Sequence, residues 1–379
     1  MLRDSVKLPT GDGEWLIFKV YDHPESLKLT AAMEEVAKRW GRSVVTGVLI
    51  VSLGIFFVYM AGKFSQPNAF CDSAPYIYAT FHHEAPNIYK YSRNGCLLDK
   101  EVLQGGPEYA LSSHLIELRS IVFGHYNNTP VLYVADAYSD DSYLNVYGSC
   151  DAHGKRPYIT TAVSTVTNPG INHPYGIAFD NDKNLYISSQ HTDNVLRFYK
   201  DSFEPMPFPK HMMRSLAHNY NYFPGTFLQF GEPNVHDVSQ QGVRDVVQVE
   251  DQFWVANEDI DSVYVVDAKT GRVEDIIAVD TPIGLHYNAE LGLVFVSSKG
   301  PKNMGFVHSI SVQTHAFVME YQSKKMTHPT GMSSHRTTLY VANQKAGQIV
   351  SFNIKSGKFL KIIVDDMPAG IEKILISDC

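Results

Sequence analysis

The hydrophobic pattern of the chain after residue 70 is a succession of short apolar segments, each separated from the next by a polar turn. The segments are rich in Val, Ile, Tyr and Phe, which is typical of β-strands. Two stretches show the pattern most clearly: HPYGIAFDNDKNLYISSQHTDNVLRFY from His173, and HPTGMSSHRTTLYVANQKAGQIVSFNIKSGKFLKIIV from His328. Each opens on a Pro-x-Gly strand, which a polar turn and further strands follow.

The second strand of each unit gives the spacing of the repeat. The predicted second strands start 55, 54, 68, 41 and 45 residues apart, at Tyr76–Thr80, Val131–Ala135, Leu185–Ser189, Phe253–Asn257, Val294–Ser298 and Leu339–Asn343. A repeat of about 40–50 residues with four strands is the signature of a β-propeller blade. The sequence therefore predicts an all-β fold, a propeller of six blades.

The two ends of this region are incomplete in complementary ways. The first unit begins directly at its second strand, YIYAT, and no Pro-x-Gly strand precedes it. The chain ends in an isolated segment of that kind, MPAGIEKILISDC. If this segment joins the first sheet, no blade is left with an exposed edge. We therefore expect Met367–Ser377 to lie beside Tyr76–Thr80 and to close the ring.

These units resemble the NHL and YVTN repeats of six-bladed β-propellers, a superfamily that includes SMP-30/gluconolactonase-like and TolB-like proteins, over roughly residues 70–379. The resemblance implies a ring around a central channel. The loops from second to third strand, and from fourth strand to the next blade, share one face of such a ring. On this predicted binding face we place His82, His83, Asp136, Asp140, His191, Glu258, Asp259, Asp261 and Lys299.

The resemblance also implies a candidate metal site in the channel. Related lactonases hold calcium with carboxylates and amides of the inner strands, and related lyases hold zinc with channel histidines. The position between Pro and Gly reads Tyr175, Ile283, Thr330 and Ala369 here, so the expected Asn or Asp is missing. The remaining candidate ligands for a divalent metal such as calcium or zinc are His173, His328, Asp245 and Glu372.

The four cysteines show no CxxC spacing and fit two disulfides in an oxidising compartment better than a zinc ribbon. In the implied topology Cys71 and Cys379 lie at one end of blade 1. Cys96 and Cys150 occupy equivalent turns of blades 1 and 2. We therefore expect the bridges Cys71–Cys379 and Cys96–Cys150, with four free thiols as the alternative.

Two loop features add candidate surface functions. Residues 201–224 lengthen the connection between the third and fourth strands of blade 3, and their content of Pro, Met, Phe and Tyr is unusual for a solvent-exposed loop. Long loops of this composition are often functional or cover other surfaces. The tripeptide Asn127-Asn128-Thr129, in the predicted first turn of blade 2, is an N-glycosylation acceptor sequence.

An uncharged apolar run of 20 residues, SVVTGVLIVSLGIFFVYMAG, precedes the repeats. It is long enough for a helix that crosses a bilayer. Lys38, Arg39 and Arg42 lie before it, so the positive-inside rule predicts a single-pass, type II topology with the propeller in the lumen or outside the cell. A cleaved signal peptide, the alternative, has a shorter apolar region. The predicted order is a cytosolic tail at 1–42, the anchor at 43–62, a linker at 63–70 and the propeller at 71–379.

The net charge and the absence of common catalytic motifs argue against several classes of function. Lys and Arg number 32 against 40 Asp and Glu, a net charge of −8 without the basic stripe of a nucleic-acid binder. No nucleophile elbow, HExxH or phosphate-binding loop occurs in a usable context. We therefore expect a non-enzymatic module that binds a small-molecule ligand or a protein partner on the face with the acidic loops and the 201–224 insertion. The alternatives are a metal-dependent hydrolase or lyase in the channel and a structural part of a membrane complex.

Overall fold

The computed structural model describes residues 2–9 and 15–21 by their backbone, and then residues 71, 74–83, 85–106, 115–138, 141–212, 222–230, 242–300 and 304–379. The chain divides into two compact units, Met1–Ala69 and Phe70–Cys379. In the first unit, β1 (Leu2–Pro9) pairs antiparallel with β2 (Trp15–Tyr21). The predicted anchor at 43–62 and the linker lie outside the described residues. Within the described ranges, no helix combines the length and the apolar character that a bilayer crossing needs.

The second unit consists of six sheets, which confirms the predicted six-bladed propeller. Blade 1 has β3 (Tyr76–Phe81), β4 (Tyr89–Ser92) and β5 (Leu97–Asp99), and the short β6 (Leu103–Gln104) follows it. Blade 2 has β7 (Leu118–Tyr126), β8 (Thr129–Asp136), β9 (Tyr143–Tyr147) and β10 (Arg156–Ser164). Blade 3 has β11 (Pro174–Phe179), β12 (Leu185–Ser189), β13 (Asn194–Phe198) and β14 (Thr226–Gln229). In blade 2, β6 adds a fifth strand, parallel to β10.

The remaining three blades repeat the same antiparallel order. Blade 4 has β15 (Val243–Val249), β16 (Gln252–Asn257), β17 (Ser262–Asp267) and β18 (Val273–Ala278). Blade 5 has β19 (Pro282–Asn288), β20 (Leu293–Ser298), β21 (Phe306–Ser311) and β22 (Phe317–Gln322). Blade 6 has β23 (Pro329–His335), β24 (Thr338–Asn343), a 3-10 turn (Gln344–Ala346), β25 (Gln348–Asn353) and β26 (Phe359–Val364). All six predicted second strands are confirmed.

The last strand, β27 (Ile371–Ser377), completes blade 1, as the sequence predicts. It pairs antiparallel with β3, with Ile371 opposite Phe81 and Ser377 opposite Tyr76. The inner strands β7, β11, β15, β19, β23 and β27 contact one another in a closed cycle. The ring is therefore closed by a sheet that contains both ends of the propeller region.

The core lies between the blades. Among the described residues, the buried apolar side chains form six clusters, one between each pair of neighbouring blades. The cluster between blades 4 and 5, for example, joins Trp254 of β16 to Val294 of β20. The second strand of each blade is covered by a neighbouring blade on either side, so both of its faces are buried. This is why these strands are continuous apolar runs rather than alternating ones.

The glycine of the Pro-x-Gly motif permits the close approach of neighbouring inner strands. A Cβ added at Gly284 would lie 2.3 Å from the carbonyl oxygen of Thr330, and one added at Gly331 would lie 2.5 Å from that of Glu372. Both distances are far below van der Waals contact, so any side chain would push the strands apart. The motif is thus a packing requirement of the inner ring.

Two disulfides form, as predicted, but the predicted pairing was wrong. The bridges are Cys71–Cys96, with Cα atoms 5.6 Å apart, and Cys150–Cys379, with Cα atoms 6.4 Å apart. Tyr76 at the start of β3 lies opposite the end of β4, so the segment before β3 meets the turn that holds Cys96. Past β27 the chain turns towards blade 2, where the Cys379 carbonyl accepts a hydrogen bond from Arg156 Nη2 at 3.2 Å. All four cysteines lie at the same end of two adjacent blades.

The 201–224 insertion does not share a face with the acidic loops, which corrects the sequence-based expectation. It connects β13 to β14 on the opposite face, where Asp201 accepts a hydrogen bond from the backbone N–H of Asn127 at 2.7 Å. Phe203 stacks on Tyr126 with ring centroids 5.4 Å apart. Met212 is buried. The described part of the insertion therefore covers the sides of blades 2 and 3.

Candidate functional site

The inner strands enter the channel in one common register. In every blade, the first residue of the inner strand lies opposite the last residue of the second strand. These first residues are Leu118, Pro174, Val243, Pro282, Pro329 and Ile371. The next residues are therefore equivalent, and we call them the channel ring: Arg119, Tyr175, Arg244, Ile283, Thr330 and Glu372. In blade 1 the equivalent residue is Glu372, which corrects the predicted alignment at Ala369. The residues before the strands form an entrance layer, which includes Glu117, His173, Thr281 and His328.

A buried ion cluster joins blades 1, 2 and 3 at the channel entrance. Arg119 donates through Nε to Glu117 Oε1 at 2.6 Å and through Nη1 to Glu372 Oε1 at 2.6 Å. Its Nη2 lies 2.8 Å from His82 Nε2 and 2.9 Å from His173 Nε2. Both carboxylates are almost fully buried. One guanidinium therefore holds two carboxylates and two imidazoles in place.

Tyr175 lies between the two arginines of the channel ring. The Arg119 and Arg244 guanidinium carbons are 5.8 and 5.3 Å from its ring centroid. Its hydroxyl donates to Glu372 Oε2 at 2.9 Å. Arg244 in turn donates through Nε to Glu258 Oε2 at 2.5 Å. Charge and aromatic contacts thus continue around half of the channel from blade 1 to blade 4.

The cluster fixes the protonation of its members. Burial raises the pKa of Glu117, but the His82 hydrogen bond and the charge of Arg119 outweigh it and lower the pKa to about 2. Burial and the Arg119 charge lower the pKa of His173 to about 2. At neutral pH Glu117 is therefore anionic and His173 is neutral.

The four metal ligands suggested by the sequence do not fit one site. Glu372 already accepts hydrogen bonds from three side chains of the channel, Arg119 and Tyr175 above and Gln344 at 2.6 Å. Asp245 pairs with Lys373 and accepts the backbone N–H of Leu285 at 2.9 Å. Both carboxylates are therefore already engaged by side chains or backbone groups of the chain itself. His173 is held by Arg119, and His328 lies in blade 6.

A different polar group lies at the entrance between blades 5 and 6. Its members are Thr281, Lys299 and His328, and the backbone N–H of Lys299 donates to the Thr281 carbonyl at 3.3 Å. The Thr281 hydroxyl and His328 Nδ1 are buried and have no hydrogen-bond partner among the described residues. Lys299 forms no ion pair with any described residue. Burial, then the charges of Lys299, Lys345 and Arg244, lower the pKa of His328 to about 4.

The backbone at this group is strained. Thr281 has a φ of 42°, which β-branched residues rarely adopt. Its backbone N–H donates to Asp261 Oδ1 at 2.8 Å, so the loop of blade 4 holds this conformation. Strain that is maintained by neighbouring contacts is frequent at ligand sites.

The structure brings only some residues of the predicted binding face to the channel entrance. His82, His83, His191 and Lys299 lie around the channel entrance, where His191 stacks on His173 with centroids 4.4 Å apart. Asp140 lies outside the described residues. Asp136 is buried, and its carboxylate accepts two backbone N–H groups before β7 at 3.0 and 3.4 Å, so it supports the fold rather than an open face. Of the acidic residues of blade 4, Glu258 pairs with Arg244, while Asp259 and Asp261 are exposed.

Sequence reasoning missed Glu117 and Arg119, which hold the ion cluster together. Blade 2 lacks the Pro-x-Gly motif, so its inner strand was not aligned with the others. A signal exists in LIELRSIVF, where two opposite charges two residues apart interrupt an apolar strand. Residues i and i+2 lie on one face of a strand, so such a pair is placed to interact.

Comparisons with known proteins support the propeller fold. No family model matches the chain, and no curated protein matches it. The chain is similar to a structure described as a nidogen/laminin complex, with a TM-score of 0.53 and 11% identity over 81% of this chain and 100% of that one. A streptogramin B lyase structure gives a TM-score of 0.47 and 11% identity over 80% and 87% of the two chains. The computationally designed protein Ika8 gives 0.44 and 9% over 79% and 78%. The similarity to the nidogen/laminin structure supports the fold and, at 11% identity, does not identify a function.

Proposed function

We propose that this protein is a ligand-binding propeller that takes a small anion, a carboxylate or a phosphate, at the channel entrance between blades 5 and 6. Lys299 supplies the charge, and the Thr281 hydroxyl and the His328 imidazole supply the hydrogen bonds. The observation that carries the proposal is that Thr281 Oγ1 and His328 Nδ1 are both buried without a hydrogen-bond partner among the described residues, while Lys299, whose charge acts on His328, forms no ion pair with any of those residues.

The energetics favour a ligand at this point. A buried polar group without a partner costs about 1–3 kcal/mol, so two such groups together call for an explanation. A ligand with anionic oxygens can accept from the hydroxyl and from a protonated Nδ1. The lysines and Arg244 that lower the pKa of His328 create a positive potential, which concentrates anions at the entrance.

The test is titration of the full-length chain, purified in detergent, with succinate and with inorganic phosphate. We expect saturable binding that weakens with added salt and falls at least tenfold in Lys299→Met. The matched control is Lys269→Met, in an exposed turn on the opposite face, which should bind as the unmodified chain does. Thr281→Val keeps the branched shape and removes only the hydroxyl, so it should also weaken binding. Absence of binding, or equal binding by the two lysine variants, would contradict the proposal.

We further propose that the propeller lies outside the cytosol, anchored as a single-pass type II membrane protein. The supporting features are the apolar run at 43–62, the basic residues that precede it, and two disulfides, which persist in oxidising compartments. Protease added to intact microsomes should remove only the N-terminal tail. Digestion of the propeller in intact vesicles would contradict this topology.

A metal-assisted hydrolase or lyase is the second candidate function. One observation favours it: the imidazoles of His82 and His83 lie beside the carboxylate of Glu117 at the channel entrance. Lactone and ester hydrolysis, measured with and without a chelator, tests this activity. No chelator-sensitive turnover would leave ligand binding as the function.

A further inference from the structure

Two adjacent histidines converge on one carboxylate at the entrance between blades 1 and 2. His82 follows β3 directly and forms an isolated bridge with Glu117, which precedes β7. In an extended strand, neighbouring side chains point to opposite sides. Here His83 has a φ of 70°, and the two imidazole rings lie side by side with centroids 3.9 Å apart. The left-handed backbone at His83 therefore brings both rings to Glu117.

The distances suit a metal ion. His82 Nε2 lies 2.9 Å from Glu117 Oε1, and His83 Nε2 lies 3.5 Å from Glu117 Oε2. One ligand atom from each residue can be chosen so that all three lie within 4.8 Å of one another. Tetrahedral zinc, with bonds of about 2.0–2.1 Å, separates its ligand atoms by about 3.3 Å. Small side-chain movements would bring the three atoms to this spacing.

The charge balance of the cluster also favours a cation. Glu117 and Glu372 are both buried, and they share one guanidinium, that of Arg119. Unless an imidazole is protonated, the cluster carries one uncompensated negative charge. Arg119 holds Glu117 through Oε1, which leaves Oε2 directed towards His83.

Arg119 must release one contact for the metal to bind. Its Nη2 lies 2.8 Å from His82 Nε2, the nitrogen that would coordinate the ion. Nη2 also contacts Glu117 Oε1, and it lies 2.9 Å from His173 Nε2. These two contacts remain when His82 turns away. The His82 and His83 side chains are 30% and 55% exposed, which gives both the freedom to adjust and gives the ion access.

We propose that His82, His83 and Glu117 bind a divalent transition-metal ion of the zinc class, with a remaining coordination position open to solvent. Two imidazoles and one carboxylate are ligands for zinc and its neighbours, whereas calcium and magnesium require oxygen ligands. The site differs from the ligand set that the sequence suggested. It is also separate from the proposed anion site, which lies between blades 5 and 6.

The probe is Zn²⁺, titrated calorimetrically into the full-length chain without an affinity tag, with Co²⁺ absorption as a report on ligand geometry. We expect one equivalent to bind, with an affinity at least tenfold lower in His83→Gln. The matched control is His153→Gln, in an exposed turn on the opposite face, which should bind zinc as the unmodified chain does. His83 is exposed, so its replacement should leave the fold intact, which circular dichroism verifies.

The outcomes separate this site from the anion site. Lys299→Met should leave zinc binding unchanged, and His83→Gln should leave succinate and phosphate binding unchanged. If His83→Gln binds zinc as tightly as the control variant, or if the unmodified chain takes up less than one equivalent, the metal site is refuted whatever the anion titrations show.

Discussion

Arg119 Nη1 on the inner strand of blade 2 donates to Glu372 Oε1 on the strand that closes blade 1, at 2.6 Å and across 253 residues of chain. Both side chains are buried, the carboxylate at 1% and the guanidinium at 7% exposure. The contact joins the last strand of the chain to blade 2 inside the channel. Ring closure therefore rests on an ion pair as well as on the hydrogen bonds between β27 and β3.

Replacing this guanidinium should destabilise the propeller strongly. Arg119→Met leaves two buried carboxylates without their cation, which typically costs about 3–5 kcal/mol. The free energy of unfolding in urea measures the loss. Arg272→Met, in an exposed turn, is the control and should change the free energy by less than about 0.5 kcal/mol. Combining Arg119→Met with Glu372→Gln should restore part of the lost free energy of unfolding. If Arg119→Met and Arg272→Met are equally stable, the buried carboxylates do not depend on Arg119.

The disulfide between Cys150 and Cys379 should matter more for stability than the one between Cys71 and Cys96. The bridges close loops of 229 and 25 residues. In the chain-entropy model these loops correspond to about 5 and about 3 kcal/mol. Paired Cys→Ser variants, unfolded in urea, measure the difference. Non-reducing peptide mapping checks the pairing itself, and a peptide linking Cys71 to Cys379 would contradict the structure.

The fold was predictable because it follows from repetition. Six second strands with similar spacing, and two complementary incomplete ends, determine both the blade count and the closure. The cysteine pairing was not predictable, because all four cysteines lie at one end of adjacent blades and the spacing does not distinguish the partners. The ion cluster was missed for a related reason: Arg119 stands in a blade without the Pro-x-Gly motif, so only the observed register shows that it is equivalent to Tyr175.

The glycine of the inner-strand motif should not tolerate a side chain. In Gly331→Ala the new Cβ would lie 2.5 Å from the Glu372 carbonyl oxygen, so β23 and β27 must separate. We expect the free energy of unfolding to fall by about 1–3 kcal/mol, as for overpacked cores. Gly106→Ala, whose new Cβ would meet no atom of the described residues within 4 Å, is the control. If both variants lose the same stability, the motif has another origin.

Asn127 should carry an N-glycan when the protein is made in a eukaryotic secretory pathway. It lies exposed in the turn between β7 and β8, in an Asn-x-Thr sequence, and the proposed topology places it in the lumen. Glycosidase treatment should lower the apparent mass, and Asn127→Gln should remove the shift. A chain of unchanged mass would contradict this proposal for Asn127.

Asp193 should make the stability of the propeller depend on pH. Burial raises the pKa of Asp193 from 3.8 to about 6 in the folded chain, and the charge of Asp259 adds to this rise. The backbone N–H of Val243 donates to the Asp193 carboxylate and opposes the rise. The folded state therefore holds this proton more tightly than the unfolded state. The contribution of Asp193 to stability is greatest below pH 4 and is lost as the pH rises from about 4 to about 6.

Asp193→Asn removes this titration and keeps an oxygen that can accept from Val243. The variant should be more stable than the unmodified chain by up to about 3 kcal/mol at pH 7, and the difference should vanish towards pH 4. Urea unfolding at a series of pH values measures it, with Asp182→Asn in an exposed turn as the control. A variant that is less stable than the unmodified chain at pH 7 would show that the ionised carboxylate contributes more through its hydrogen bonds than its burial costs.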